Sequence, residues 1–309
     1  MTAVTVRVPA KVNLQLSVGP LRDDGYHDLV NVFHAVSLFD EVTAVPADGL
    51  ALTVETARGS LVAVDGVPTD GGNLAARAAV LVADRLGVEP AVAIRIRKAI
   101  PVAGGMAGGS ADAAAALLAC ARLWDSPDEP LLSRDDLMEL GAGLGSDVPF
   151  ALLGGTAIGI GRGEQLTPAL ARGTFHWVFA TADGGLSTPA VYAECDRLRD
   201  AQGEEAPWPE VSEELMAALA TGDAKALGAA LSNDLQDAAL VLRPSLSRTL
   251  TAGQDAGAIG ALVSGSGPTC AFLAENVEHA ADLAAVLAGE GVAKSVVRAS
   301  GPVPGATVM

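Results

Sequence analysis

The segment PVAGGMAGGSADAAAAL, residues 101–117, sets Gly104, Gly105, Gly108 and Gly109 directly ahead of an unbroken run of helix formers. Glycine lets a backbone approach a ligand closely and adopt positive φ. The helix start that follows presents free N–H groups and the positive end of its dipole, a combination that holds phosphate. The segment is not a Walker loop, since GxxxxGK(S/T) is missing, and it is not a GxGxxG turn in a nucleotide-binding βαβ unit. A flexible turn before a buried Ala-rich helix has the same composition.

Three other segments carry side chains suited to chemistry. In PAKVNLQLSV, residues 9–18, Lys11 and Asn13 share the parity of one strand and point to one face. Lys11 is either a solvent-facing edge lysine or a buried cation that needs a partner. In GLGSDVPFALLGG, residues 143–155, Asp147 is a lone acid ahead of an apolar run, either a helix-start residue or a catalytic carboxylate. In RDDGYHDL, residues 22–29, Tyr26 and His27 follow Asp24-Gly25 in a turn, which alone also reads as a capped loop with a half-buried tyrosine. SGSGPT supplies Ser264, Gly265, Ser266 and Gly267 as a tight turn between two strands.

The elements that position these residues read as strands and then helices in the first half of the chain. Val4–Val8, Val12–Val18 and Val32–Val45 are strand-like, as is the alternation of Val92, Ile94 and Ile96. Asn73 caps a helix over Leu74–Leu86 that Gly87 ends. The Gly-rich loop opens a helix to about Trp124, and Ser133 with Asp136 begins another. Thr156–Ile160 is expected to connect to a second unit. There Phe175–Thr181 is a strand, and Thr188-Pro189 supplies the cap and first-turn proline of a helix to Arg199. Further helices run to about 254, followed by strand, turn, strand, helix and strand through Arg298. This mixed order argues an α+β chain of two domains, 1–160 and 161–309.

The net charge of −17 disfavours nucleic acid and anionic lipid as partners. It also requires any bound phosphate to be held by backbone N–H groups, a cation and a few placed Lys or Arg side chains. The three cysteines, Cys120, Cys195 and Cys270, show neither a CxxC spacing nor a disulfide framework. No apolar stretch approaches the ~20 residues that span a bilayer, and the first residues show no apolar signal core. A cytoplasmic protein, monomeric or homodimeric, is expected.

Taken together these segments resemble the motif regions of the GHMP kinases, in the same order along the chain. PAK-N followed by DGYH is much more specific than the Gly-rich loop. Within the family they are similar to the branch whose acceptor is a methylerythritol carrying cytidine diphosphate, on the non-mevalonate route to isoprenoids. The resemblance implies an N-terminal unit like ribosomal S5 domain 2, a C-terminal ferredoxin-like unit, and ATP with Mg²⁺. It implies Lys11 and Asp147 as the catalytic pair, with Asp147 the general base. Asn13, Tyr26, His27 and Tyr192 would contact the cytidine diphosphate, His27 reading the cytosine edge. Pro101, Gly104, Gly105, Met106, Ala107, Gly108, Gly109 and Ser110 would form the ATP loop. Tyr26 and Tyr192 are the chain's two tyrosines, and both fall at the implied base-stacking positions. Many GHMP kinases carry two serines after these glycines; here they are Ser110 and Ala111, so a metal ligand on the second hydroxyl is missing. The metal ligands are not assigned. A GHMP kinase for homoserine or mevalonate, or a non-catalytic module of this fold, are the competing readings.

Overall fold

A computed structural model describes residues 3–102, 104–125 and 132–309; Ala103 of the Gly-rich segment lies outside them. The first sheet is built on β1 (Val4–Leu21) and β2 (His27–Pro46), a long antiparallel pair. The two strands expected at Val4–Val8 and Val12–Val18 are one, with a register shift at Pro9/Ala10. Proline has no N–H to give the ladder, so pairing slips there without ending the strand. Even-numbered Val6 to Leu14 enter the main core, while odd-numbered Lys11, Asn13 and Gln15 are buried on the other face.

β3 (Ala51–Thr56) runs parallel to β4 (Val92–Lys98), which pairs with β2. Between them α1 (Leu74–Leu86) starts where the Asn73 side chain accepts from Ala75 N–H and stops at Gly87, φ 66°. α2 (Gly108–Trp124), α3 (Arg134–Leu144) and α4 (Asp147–Leu153) follow, and Ser133 and Asp136 form the capping box of α3. Thr156–Ile160 is not a connection. β5 (Thr156–Gly161) pairs antiparallel with β2 and with β6 (Gln165–Pro168). Its glycines hid it: a Cβ on Gly159 would meet Phe33 and the Gly163 carbonyl at 2.7 Å, so close packing here requires glycine.

β7 (Phe175–Thr181) leads to α5 (Thr188–Gln202), α6 (Glu213–Thr221), α7 (Ala224–Ala230), β8 (Ser232–Asn233), α8 (Gln236–Leu242) and α9 (Ser245–Asp255). β9 (Gly260–Val263), β10 (Cys270–Ala274), α10 (Val277–Gly289), β11 (Ser295–Gly301) and β12 (Thr307–Val308) complete the chain. The second sheet is antiparallel in the order β11-β7-β10-β9. Counted in chain order that is 4-1-3-2, the ferredoxin-like arrangement. The cap of α5 is Ser187, one residue before the expected Thr188, whose hydroxyl instead lies 2.9 Å from that of Ser266. The division expected after residue 160 falls inside β5, and β6, β8 and β12 from beyond it all join the first sheet.

His34 on β2 ties the two sheets together. It is fully buried, its Nδ1 lies 2.8 Å from Thr156 Oγ1, and its ring meets Phe175 edge-on at 5.8 Å. Burial pushes its pKa down from 6.5 to about 4. Between those values the unfolded chain binds a proton that the folded chain refuses. Stability is therefore expected to fall by about 3 kcal/mol as pH drops through this window. Denaturant unfolding of wild type and His34→Gln from pH 7 to 4 checks this: the variant should show the shallower slope, and equal slopes would assign the proton uptake elsewhere.

Candidate active site

Lys11 sits on the polar face of β1, where neighbouring elements supply its partners. Its Nζ donates to Asn13 Oδ1 at 2.6 Å and lies 3.8 Å from Asp147 Oδ2. Asn13 Nδ2 in turn donates to Asn31 Oδ1 at 2.8 Å, across to β2. The Phe33 ring centroid lies 5.9 Å from the ammonium. A buried cation is costly without such partners, and Lys11 is the buried, partnered lysine of the two alternatives. Asp147 is the first residue of α4, as the helix-start reading has it, and its carboxylate also faces Lys11. Its side chain is 30% exposed against 8% for Lys11, leaving the carboxylate open to an approaching molecule.

Across a cavity of about 390 Å³ from this pair stands the Gly-rich loop. Gly104, Gly105, Ala107, Gly108, Gly109 and Ser110 line the cavity. At Gly105, φ 72°, a Cβ would lie 2.2 Å from the Ser264 carbonyl oxygen. Ala107 precedes α2 with φ 58°, a left-handed conformation that costs a residue with a Cβ about 1 kcal/mol. The SGSGPT turn closes over the loop from the second unit. Ser264 Oγ donates to the Gly105 carbonyl at 3.2 Å, and Gly265, Ser266 and Gly267 line the cavity. Pro101, Met106 and Ser264 do not line it; Met106 and Ser264 are fully buried supports. Asn233 pins the turn by donating to the carbonyls of Val263 and Gly265, at 2.7 and 2.8 Å.

Beneath the loop lies a buried ionic cluster. Lys98 Nζ donates to Asp112 Oδ2 at 2.7 Å, to the Gly108 carbonyl at 3.3 Å, and to Asp40. Asp40 Oδ1 accepts from Ala99 and Ile100 N–H at 2.6 and 2.9 Å, fixing the chain as it enters the loop. Asp112 Oδ1 is buried without a hydrogen-bond partner among the described residues. Burial, against the pull of Lys98, holds the Asp112 carboxyl well above the usual carboxylate range. None of this cluster was read from the sequence. The available signal was an acid in an otherwise Ala-rich helix start and a lysine ending an apolar strand, each requiring a partner once buried.

A second cavity, of about 630 Å³, adjoins the first; Leu29, Ser146, Arg162, Thr188 and Tyr192 line both. Tyr26, 54% exposed, and His27 also line it. The rings of His27 and Tyr192 stack at 5.3 Å and 24°. His27 Nδ1 lies 2.9 Å from the Gly19 carbonyl and Nε2 3.3 Å from Asp196 Oδ2, so both ring nitrogens have protein partners. An edge contact from the His27 ring would have to displace one of them. Burial first, then the nearby Asp147 and Cys195, push the Tyr192 hydroxyl pKa upward. Asn13, Tyr26, His27 and Tyr192 are thus brought to one continuous site with Lys11, Asp147 and the Gly-rich loop. Arg162, Asn31 and Asn233 were missed.

Two family models match the chain: the GHMP kinase N-terminal domain over residues 73–155 and the GHMP kinase C-terminal domain over 215–293. A 4-diphosphocytidyl-2-C-methyl-D-erythritol kinase of Thermobifida fusca is 61% identical, covering 100% of this chain and 99% of its own. The chain belongs to the 4-diphosphocytidyl-2-C-methyl-D-erythritol kinase family of GHMP kinases. The crystal structure of another kinase of that name superposes with a TM-score of 0.74 at 33% identity, covering 96% of this chain and 98% of its own. A homoserine kinase of Cytophaga hutchinsonii reaches 0.72 at 19% identity, over 100% of this chain and 98% of its own, and shares the fold. The two-unit α+β architecture is that of the family, and the chain is a small-molecule kinase of a class that uses ATP. No helix among the described residues is long and apolar enough to cross a membrane.

Those residues contain no group of three or more His, Cys, Asp or Glu side chains that could hold a metal. Mg²⁺ commonly needs only one or two protein oxygens beside phosphates and water. Ser110 and Asp147, both lining the first cavity, fit that mode of binding.

Proposed function

We propose that the chain transfers the γ-phosphoryl group of ATP to the 2-hydroxyl of 4-diphosphocytidyl-2-C-methyl-D-erythritol, a step of isoprenoid precursor synthesis. The observation that carries this reading is the Lys11–Asp147 pair where a phosphate-type loop meets a two-tyrosine cavity. The polyphosphate of ATP lies against Gly104 to Ser110, held by backbone N–H groups and the start of α2. Asp147 accepts the proton of the acceptor hydroxyl, whose oxygen attacks the γ-phosphorus as the bond to ADP breaks. Lys11 and the loop N–H groups stabilise the negative charge on the transferred group. Mg²⁺, held by ATP oxygens and water with Ser110 and Asp147 nearby, would neutralise phosphate charge when bound.

Tyr26 and Tyr192 hold the cytosine, and His27 supports Tyr192 by stacking on it. A homoserine or mevalonate acceptor would leave this second cavity unused. A binding module without activity would have no need of the Lys11–Asp147 pair.

Stacking a base on a tyrosine is typically worth ~1–3 kcal/mol, so Tyr192→Ala is expected to lower kcat/KM for the acceptor by about one to two orders of magnitude. The KM for ATP should stay unchanged, and free methylerythritol should be a poor acceptor, because the remote base positions the hydroxyl. Steady-state kinetics with both acceptors tests this. Equal use of both, or a defect confined to the ATP KM, would sink the cytidine reading.

A further inference from the structure

We propose that Arg162 grips the diphosphate of the acceptor, an assignment that rests on the acceptor reading above. With the cytosine in the two-tyrosine cavity and the reacting hydroxyl at Asp147, the diphosphate must pass where the cavities join. Among the described residues that line the two cavities, the permanent cations are Lys11 and Arg162. Lys11 is committed to Asn13 and Asp147. Arg162 alone of these two lines both cavities, in a chain whose net charge of −17 offers no general attraction for phosphate.

Local structure holds this arginine at the join, with Glu164 as its ion-pair neighbour among the described residues. It occupies the β5–β6 turn between Gly161, φ 74°, and Gly163, φ 103°, where Gly163 N–H donates to the Ile160 carbonyl at 3.1 Å. A Cβ on Gly163 would meet Asn31 Nδ2 and the Phe33 ring at 3.4 Å, so the turn is seated on the residues that back Lys11 and Asn13. One oxygen of Glu164 accepts the Arg162 backbone N–H at 2.8 Å, and the other lies 3.9 Å from Nε. The guanidinium donates no hydrogen bond to the described residues. It lies over the Tyr26 ring, 5.1 Å from the centroid. A planar fork of donors matches phosphate oxygens, and its stacking on Tyr26 steadies the exposed ring that the base would contact. Gripping the diphosphate and ordering the base platform are then a single act.

The test is competition against the acceptor by CDP, CMP and cytidine, with wild type, Arg162→Met and Arg162→Lys. The side chain is 41% exposed, so folding is not at stake in either variant. Wild type should bind CDP about 10–100-fold tighter than cytidine, the gain typical of charge-assisted phosphate contacts. In Arg162→Met that gain should shrink to a few-fold while the KM for ATP stays within about twofold; Arg162→Lys, charged but without the fork, should fall between. A full CDP gain retained in Arg162→Met would overturn the assignment. A rise in the KM for ATP in place of a loss of CDP affinity would also overturn it, placing Arg162 on the donor nucleotide. If none of the three compounds competes with wild type, the acceptor reading itself fails, which the variants alone would not reveal.

Discussion

Asp147→Asn is expected to lower kcat by about three orders of magnitude, the middle of the range for loss of a general base. Asparagine has the same shape and is tolerated at a helix start, so α4 should form as before. Lys11 loses the charge of its ion-pair partner but keeps its 2.6 Å bond to Asn13, and an amide oxygen of the same shape still faces it. What disappears is the acceptor for the hydroxyl proton. The dissociation constants of ATP and acceptor should therefore stay within a few-fold, measured by calorimetry beside single-turnover kinetics. A kcat within tenfold of wild type would remove Asp147 from the role of base. A large loss of affinity with kcat preserved would make it a binding residue.

Lys98→Met is expected to cost about 3–5 kcal/mol of folding stability, the usual penalty for breaking a buried ionic pair from one side. Lys98 is the cation between Asp40 and Asp112, and all three side chains are almost wholly inaccessible. Methionine fills a similar volume but removes the cation between the two carboxyl groups, leaving Asp40 only the Ala99 and Ile100 N–H groups and Asp112 without the Lys98 donor. The Gly108 carbonyl also loses its bond from Nζ, so the phosphate loop should loosen and the KM for ATP should rise. Asp112→Asn should be far milder, because Asp112 is held toward its neutral form and an amide oxygen can still accept from Lys98. Urea unfolding of the two variants checks the order. A cost under about 1 kcal/mol for Lys98→Met would mean that the cluster contributes little as an ionic unit.

Local signals in the sequence located what local chemistry decides. Asn73 and Gly87 bounded α1 correctly because each satisfies backbone groups of its own helix end. Ser133 and Asp136 marked the start of α3 for the same reason. Strand parity placed Lys11 and Asn13 on one face, and the structure joins them by a hydrogen bond. What escaped depends on distant partners or on very short elements. Lys98 and Asp40 are 58 residues apart, and neither shows alone that it will be buried. β8 and β12 are two residues each, too short for any alternation to register. Arg162 stands between two glycines in what reads as an ordinary turn, and only the meeting of two cavities gives it meaning.

The strand order also bears on how the molecule comes into being. Val6 pairs with Val308, and Gln15 pairs with Ser232, so the first sheet takes in strands from the far reaches of the chain. A second join lies close by: Gly154 bridges to Pro304, and Ala306 N–H donates to the Ala151 carbonyl at 2.9 Å. As the chain leaves the ribosome, its earliest strands must wait for their last neighbours until the ferredoxin-like unit has already emerged. The unit made second is thus enclosed by the unit begun first. Contacts of such long sequence separation form slowly, and the partly built sheet stays exposed during synthesis. The same enclosure links the two units in unfolding, since the second cannot separate without stripping β8 and β12 from β1.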